Sequence, residues 1–165
     1  MELLNKDIAE YTEQLGNGQI QRAYKGIMAF MAELKADLEH KHPDYASGAL
    51  YFGYMDMTYF AITPPVLKNK KLKIAVVYLH EQCRFEVWLA GNNRQIQAQV
   101  IEQLGKKDLG GYALSQVSPG VDSIIESMLI DQPDFEKPDE LIKTIEDKTE
   151  EFIDDMISLL SEKTR

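Results

Sequence analysis

Cysteine is almost absent from this chain of 165 residues, which contains only Cys83. One cysteine cannot form an internal disulfide, and it excludes a structural zinc site built on several cysteine ligands. A single thiol is typical of proteins that work in a reducing compartment. We therefore expect a cytoplasmic protein.

Long apolar runs are missing as well. No stretch approaches the roughly 20 apolar residues of a membrane-spanning helix. The first residues, MELLNKDIAEY, are acidic where a signal peptide would be basic and then apolar. The sequence thus predicts neither a membrane segment nor a secretion signal.

Basic residues are in the minority, with 18 Lys and Arg against 27 Asp and Glu and a net charge of −9. The acidic excess is concentrated in residues 131–165, and the preceding part of the chain is nearly neutral. This balance disfavours a nucleic-acid partner, whose phosphates require basic surfaces. The length fits one domain over residues 1–165, in which roughly 70% of the surface of the unfolded chain becomes buried.

Aromatic residues are few, but the only Trp and several Tyr lie between residues 50 and 90. Alternating side chains in this region predict antiparallel strands over residues 50–62, 72–80 and 84–90. At about 3.3 Å per residue the first strand would span roughly 43 Å, which is as long as the whole domain is wide. We therefore expect a bulge or bend, and Gly53 is the residue that tolerates one.

Helix signals lie on both sides of these strands. Apolar spacings of three and four, together with caps and breakers, predict helices over about 5–15, 20–42, 93–104 and 138–161. A short strand is expected at 112–117, and residues 121–130, ambiguous between strand and helix, are interpreted as a strand. The sequence predicts an α+β fold: an antiparallel sheet of four to five strands, with an N-terminal helical pair and a long C-terminal helix packed on it.

Charged residues within the predicted strands give a candidate binding site. Asp56 lies inside the first predicted strand, and a buried carboxylate needs a partner. Arg84 and Glu86 lie on another predicted strand and precede Trp88 on the same face. The candidate site residues are Tyr54, Asp56, Arg84, Glu86 and Trp88. The alternative interpretation is a solvated sheet face with cross-strand ion pairs, which the sequence favours.

Other chemistries receive weaker support. A metal-dependent nuclease would place a Lys two residues after Glu86, where this chain has Trp88. A nucleophilic pair of Cys83 and His80 lacks an orienting group and an oxyanion site. We predict no metal site, since His40 and His42 with Asp44 at a helix end have too few potential ligands around them. We also predict no cofactor, and the sequence has neither a phosphate-binding loop nor a nucleophile elbow.

Three strings carry a family resemblance: YFGYMDMTYF, RFEVWLAGNN and GVDSIIESMLIDQPDF. With the chain length and the helical N-terminus, they resemble a family of uncharacterised bacterial proteins known only as a domain of unknown function. The resemblance covers nearly the whole chain. It implies a bacterial, cytoplasmic origin, and it carries no activity and no site residues.

The sequence supports two principal functional hypotheses. The first is a binding or interaction module that uses an aromatic face of the sheet for a small molecule or a protein partner. The second is an enzyme of unknown reaction with Asp56, Arg84 and Glu86 in a pocket. A concave site with convergent charges favours the enzyme, whereas a flat exposed aromatic patch favours the interaction module. Self-association through the same face, giving a homo-oligomer, is a third hypothesis.

Overall fold

The fold is built on an antiparallel sheet whose strands have the same order in space as along the chain. The structure, a computed structural model, describes residues 2–161. The strands are β1 (Ala46–Ser47), β2 (Met57–Thr63), β3 (Leu72–Leu79), β4 (Arg84–Gly91) and β5 (Ser123–Asp131). Each pair of neighbouring strands is antiparallel, as the predicted α+β class requires.

Five helices accompany the sheet in the described part of the chain. They are α1 (Glu2–Gly16), α2 (Gln19–Lys41), the one-turn α3 (Pro65–Lys68), α4 (Arg94–Leu104) and α5 (Pro138–Ser161). The two longest, α2 and α5, contribute their apolar sides to one core with the sheet. Within residues 2–161, no helix has both the length and the apolar character needed to cross a bilayer.

The alternation along β3 shows how the two faces of the sheet differ. Its residues Leu72, Ile74, Val76 and Tyr78 belong to the main core, together with Leu34 and Leu38 of α2 and Ile145 and Phe152 of α5. The intervening Lys73, Ala75 and Val77 point to the opposite side. We call this opposite side the open face.

Most of the predicted elements are confirmed. Strands β3 and β4 occupy the predicted positions, and residues 121–130 do form a strand, β5. Helices α2, α4 and α5 agree with the predicted helices within a residue or two. Asn93 caps α4, since its side chain accepts a hydrogen bond from the backbone N–H of Ile96 at 2.9 Å.

The prediction of one long first strand over residues 50–62 is wrong. Strand β2 begins only at Met57, and the segment before it turns back so that Tyr51 pairs with Tyr59 through two backbone hydrogen bonds of 2.8 and 3.0 Å. Gly53 lies in this turn with φ of 74°, which fits the expected bend there. Asp56 therefore lies in a loop, where its carboxylate accepts a hydrogen bond from the backbone N–H of Tyr54 at 2.9 Å.

Two smaller predictions are also wrong. Residues 112–117 do not form a strand, and only Leu114 makes a single bridge, to Ile125. The fifth strand is instead β1, at the opposite edge. Asn5 does not cap the first helix, which begins at Glu2, because no residue before Asn5 interrupts a helix.

Candidate functional site

Three side chains of β4 form a connected polar group on the open face. Glu86 accepts a hydrogen bond from Arg84 Nε at Oε2 and one from Trp88 Nε1 at Oε1, each at 2.7 Å. The three residues alternate along the strand, so a straight strand is enough to bring them together. The sequence prediction placed these three residues on one face, and the structure agrees.

The carboxylate of Glu86 is buried, yet both of its oxygens have a donor. The Arg84 guanidinium balances the charge of this buried carboxylate, and neither of its oxygens is left without a donor. Its chemical effect is to hold the indole of Trp88 in one orientation. The group of three is therefore a support for an aromatic surface.

Small side chains on the middle strand leave a depression beside this surface. Ala75 lies directly opposite Trp88, and Val77 lies opposite both Glu86 and, on the other side, Tyr59. The resulting cavity has a volume of about 290 Å³. Its floor and walls come from Met57, Tyr59, Ala75, Val77, Trp88 and Ala90. Tyr59 and Trp88 lie two strands apart and are offset by two residues along the strands, so roughly 12 Å separates their backbones.

The polar end of the cavity lies at the start of α4. Gly91 allows the end of β4 to lie close to α4, because a Cβ at this position would lie 2.8 Å from the backbone nitrogen of Gln97. The positive end of the α4 dipole and the cations Lys73 and Arg94 border the cavity here. The carboxylate of Asp122 lies at the same rim. The balance of charge at this end is positive.

Gln97 is the least expected residue of the site. Its side chain is only 1% exposed, and its Nε2 donates hydrogen bonds to the carbonyl oxygens of Val121 and Ser123 at 2.9 and 3.0 Å. These two acceptors fix the orientation of the amide, because only its nitrogen can donate to them. Its Oε1 is buried and has no hydrogen-bond partner among residues 2–161. Gln97 also lines the cavity, and its amide keeps one unused acceptor.

Sequence reasoning missed Gln97 and the polar rim. The available signal was periodicity, since Gln97, Val100 and Leu104 share the buried side of α4. A polar residue on an otherwise apolar helix face requires partners, and that pattern marks Gln97. The contacts with the segment before β5 depend on tertiary folding and have no local signal.

Two of the predicted site residues lie elsewhere. Tyr54 is 92% exposed, and Asp56 is fully exposed in the same loop. Backbone N–H groups of Tyr54 and Met57 lower the pKa of Asp56. In the described part of the chain, neither residue forms a hydrogen bond or ion pair with the group on β4.

A second polar cluster lies at the other end of β3. The Thr58 hydroxyl oxygen lies 2.8 Å from His80 Nε2, and the Tyr78 hydroxyl donates to Cys83 Sγ at 3.6 Å. Burial lowers the pKa of His80, while the charge of Asp56 partly opposes this shift. Burial and the contact with Cys83 raise the pKa of Tyr78. The His80 ring contacts Thr58, and the Cys83 thiol contacts Tyr78. These contacts do not correspond to the nucleophilic pair of Cys83 and His80 that was considered from the sequence.

Residues 2–161 contain no group of three or more His, Cys, Asp or Glu side chains arranged to hold a metal ion. In that same range, His42 is engaged elsewhere, with its Nε2 2.9 Å from Glu150 Oε1 and its ring stacked on Tyr45.

Comparison with known proteins identifies the family. Residues 4–160 match the family described as a domain of unknown function, DUF7000. The chain belongs to DUF7000. No curated protein and no solved structure matches this DUF7000 member. The family membership agrees with the resemblance drawn from the sequence strings, and it adds no activity or ligand to the geometry described above.

Proposed function

We propose that this DUF7000 domain binds a small molecule in the cavity of the open face. The observation that carries the proposal is a concave site, with two aromatic side chains, Tyr59 and Trp88, on either side of a floor of small residues. Its volume of about 290 Å³ is at the lower end of ligand-binding pockets. The aromatic side chains and the small floor favour a ligand with one flat ring system.

The polar end of the cavity adds a second requirement for the ligand. Lys73, Arg94 and the N-terminus of α4 favour an anionic substituent there, such as a carboxylate. The free acceptor of Gln97 favours a donor such as a hydroxyl or an amine. We therefore infer an aromatic or heteroaromatic acid with a hydrogen-bond donor, bound in the cytoplasm of a bacterium. The single cysteine supports that location, and the resemblance of the sequence strings supports that origin.

The enzyme hypothesis has less support. Asp56 lies outside the cavity, and both oxygens of Glu86 are engaged by Arg84 and Trp88. General acid–base chemistry needs a carboxyl group that is free to exchange a proton with the ligand. A protein-interaction role for the same face is also less favoured, since the site is concave and its aromatic groups are partly buried.

Trp88 allows a direct test, because it is the only tryptophan of the chain. Aromatic acids and their neutral amides are titrated against the purified protein while indole fluorescence and thermal unfolding are recorded. An acid at 100 times its dissociation constant should stabilise the fold by about 2.7 kcal/mol and change the Trp88 emission. Its amide should bind about tenfold more weakly, since it lacks the charge recognised by Lys73 and Arg94.

Two variants make the same chemical change at different places. Ala75→Leu fills the floor of the cavity and should abolish binding, whereas Ala98→Leu adds the same group on an exposed position of α4 outside the cavity and should leave binding unchanged. The proposal fails if no acid or amide in the series perturbs Trp88. It also fails if Ala75→Leu binds like the parent protein.

A further inference from the structure

Two opposite charges border the polar end of the open-face cavity without pairing. Lys73 and Asp122 both line the cavity, and both side chains are exposed. In the described part of the chain, neither side chain forms an ion pair or a hydrogen bond. A site that offers one unpaired cation and one unpaired anion is complementary to a ligand that carries both charges.

The strand register places the two charges across the cavity from each other. Lys73 is the partner of Ala90 in the pairing of β3 with β4. Ala90 is in turn the partner of Ser123, the residue that follows Asp122. The backbones of Lys73 and Ser123 therefore stand two strand spacings apart, roughly 10 Å. Ala90 lies between them, and its single methyl group leaves room for a small polar group of a ligand.

The distance along β3 fits a short ligand. Ala75 forms part of the cavity floor beside Trp88 and lies two residues from Lys73, roughly 7 Å along the strand. A ring over Ala75 therefore needs only a short alkyl spacer to bring its polar end level with Lys73. The carbon atom at that end can carry an acidic group on the side of Lys73 and a basic group on the side of Asp122.

Arg94 strengthens the cationic part of the rim. Its Nη1 donates a hydrogen bond to the carbonyl oxygen of Ser118 at 3.1 Å, which holds the side chain near the start of α4. A guanidinium has several N–H donors, so Arg94 keeps donors for a carboxylate. Asp122, by contrast, is the only acidic residue among the described residues that line the cavity. A basic group of the ligand thus has one defined partner.

We propose that the ligand of this cavity is an aromatic α-amino acid, bound as its zwitterion. The ring lies over Ala75 beside Trp88. The carboxylate faces Lys73 and Arg94, and the ammonium group faces Asp122. This inference rests on the proposed small-molecule site, and it narrows the ligand from aromatic acids in general to those with an amino group beside the carboxylate.

Three ligands with the same phenyl ring test the two charges separately. They are L-phenylalanine, 3-phenylpropionate, which lacks the amino group, and phenethylamine, which lacks the carboxylate. Each is titrated against the full chain while the emission of Trp88 and thermal unfolding are recorded, since a phenyl ring leaves indole emission readable. L-Phenylalanine should bind at least about tenfold more tightly than either of the others, because each of them leaves one charge of the rim without a partner.

Asp122→Asn removes the anion of the rim and keeps the shape of the side chain. It should weaken the binding of L-phenylalanine about tenfold and strengthen that of 3-phenylpropionate, whose carboxylate no longer meets a like charge. Asp122 is exposed, so the fold should be retained, and thermal unfolding without ligand verifies this. Asp44→Asn makes the same change at an exposed position outside the cavity and should leave all three affinities unchanged.

Lys73→Met provides the reciprocal change. It should weaken the binding of L-phenylalanine and of 3-phenylpropionate, because both present a carboxylate to Lys73. It should strengthen the binding of phenethylamine, whose ammonium group no longer meets a like charge.

The outcomes separate this inference from the proposed function. Two results would overturn the amino-acid inference and leave an aromatic-acid site in place: 3-phenylpropionate that binds the parent protein as tightly as L-phenylalanine does, or an Asp122→Asn variant in which the two affinities change equally or not at all. If none of the three ligands perturbs the parent protein, the amino-acid inference also fails. The series of aromatic acids and amides then decides separately whether the cavity binds any such ligand.

Discussion

At the scale of single residues, the most constrained side chain is Glu86. It is buried on the open face and accepts from Arg84 Nε and Trp88 Nε1 at once. Removing it leaves the half-buried indole N–H of Trp88 and the partly exposed guanidinium of Arg84 without their acceptor. The orientation of the Arg84 and Trp88 side chains on β4 therefore depends on this carboxylate.

Glu86→Ala is therefore expected to lower the free energy of unfolding by about 1 to 3 kcal/mol. The change should also alter the emission of Trp88 in the folded state, since the indole loses its partner. Urea unfolding followed by fluorescence measures both effects. Glu81→Ala, an exposed acid in the turn before β4, should stay within about 0.5 kcal/mol of the parent protein. Equal stability of the two variants would contradict this role of Glu86.

Sequence reasoning identified Arg84, Glu86 and Trp88 as one group because strand alternation is a local property. It failed for Asp56, since it treated residues 50–62 as one strand. The chain reverses within that segment, and the turn places Asp56 at the surface. Gln97 escaped notice because its partners, the carbonyls of Val121 and Ser123, lie more than twenty residues away.

At the scale of elements, the turn before β2 depends on Gly53. Its φ is 74°, and a Cβ at this position would lie 2.1 Å from the carbonyl oxygen of Met57. Gly110 has a similar φ of 60° but has open space where a Cβ would be. The two glycines thus share a backbone conformation, but a Cβ would clash only at Gly53.

Gly53→Ala should lower the free energy of unfolding by at least about 2 kcal/mol, whereas Gly110→Ala should cost only about 1 kcal/mol. Gly53→Ala should cost more because its Cβ would overlap the carbonyl oxygen of Met57, and this first residue of β2 would have to move. Equilibrium urea unfolding of both variants gives the comparison. If the two substitutions cost the same, the close approach of Gly53 to β2 is not an important part of the fold.

At the scale of the whole molecule, α2 and α5 are joined across the core by Glu146. This residue is 1% exposed, and its Oε1 accepts a hydrogen bond from Lys41 Nζ at 2.8 Å. Burial raises the pKa of Glu146, and the nearby Asp37 carboxylate raises it further, while Lys41 opposes the shift. The folded state therefore binds this proton more tightly than the unfolded state does.

The sign of the pH effect follows from this raised pKa. The contribution of Glu146 to stability is fully present below its unfolded pKa and is lost as the pH rises through the folded pKa. We expect Glu146→Gln to gain stability relative to the parent protein as the pH increases from about 4 to 8. Thermal unfolding across that range measures the difference. Glu151→Gln, an exposed position of the same helix, should show no such trend, and a flat difference for Glu146→Gln would refute the prediction.

The sequence alone is enough to define strands β3, β4 and β5, the long helices and the α+β class, because periodicity and capping act over a few residues. It also placed Arg84, Glu86 and Trp88 on one face. The reversal of the chain before β2, the polar rim near Trp88 and the uncovered side of α1 become visible only in the folded protein. These features depend on contacts between residues far apart in the chain, and such contacts leave no local pattern.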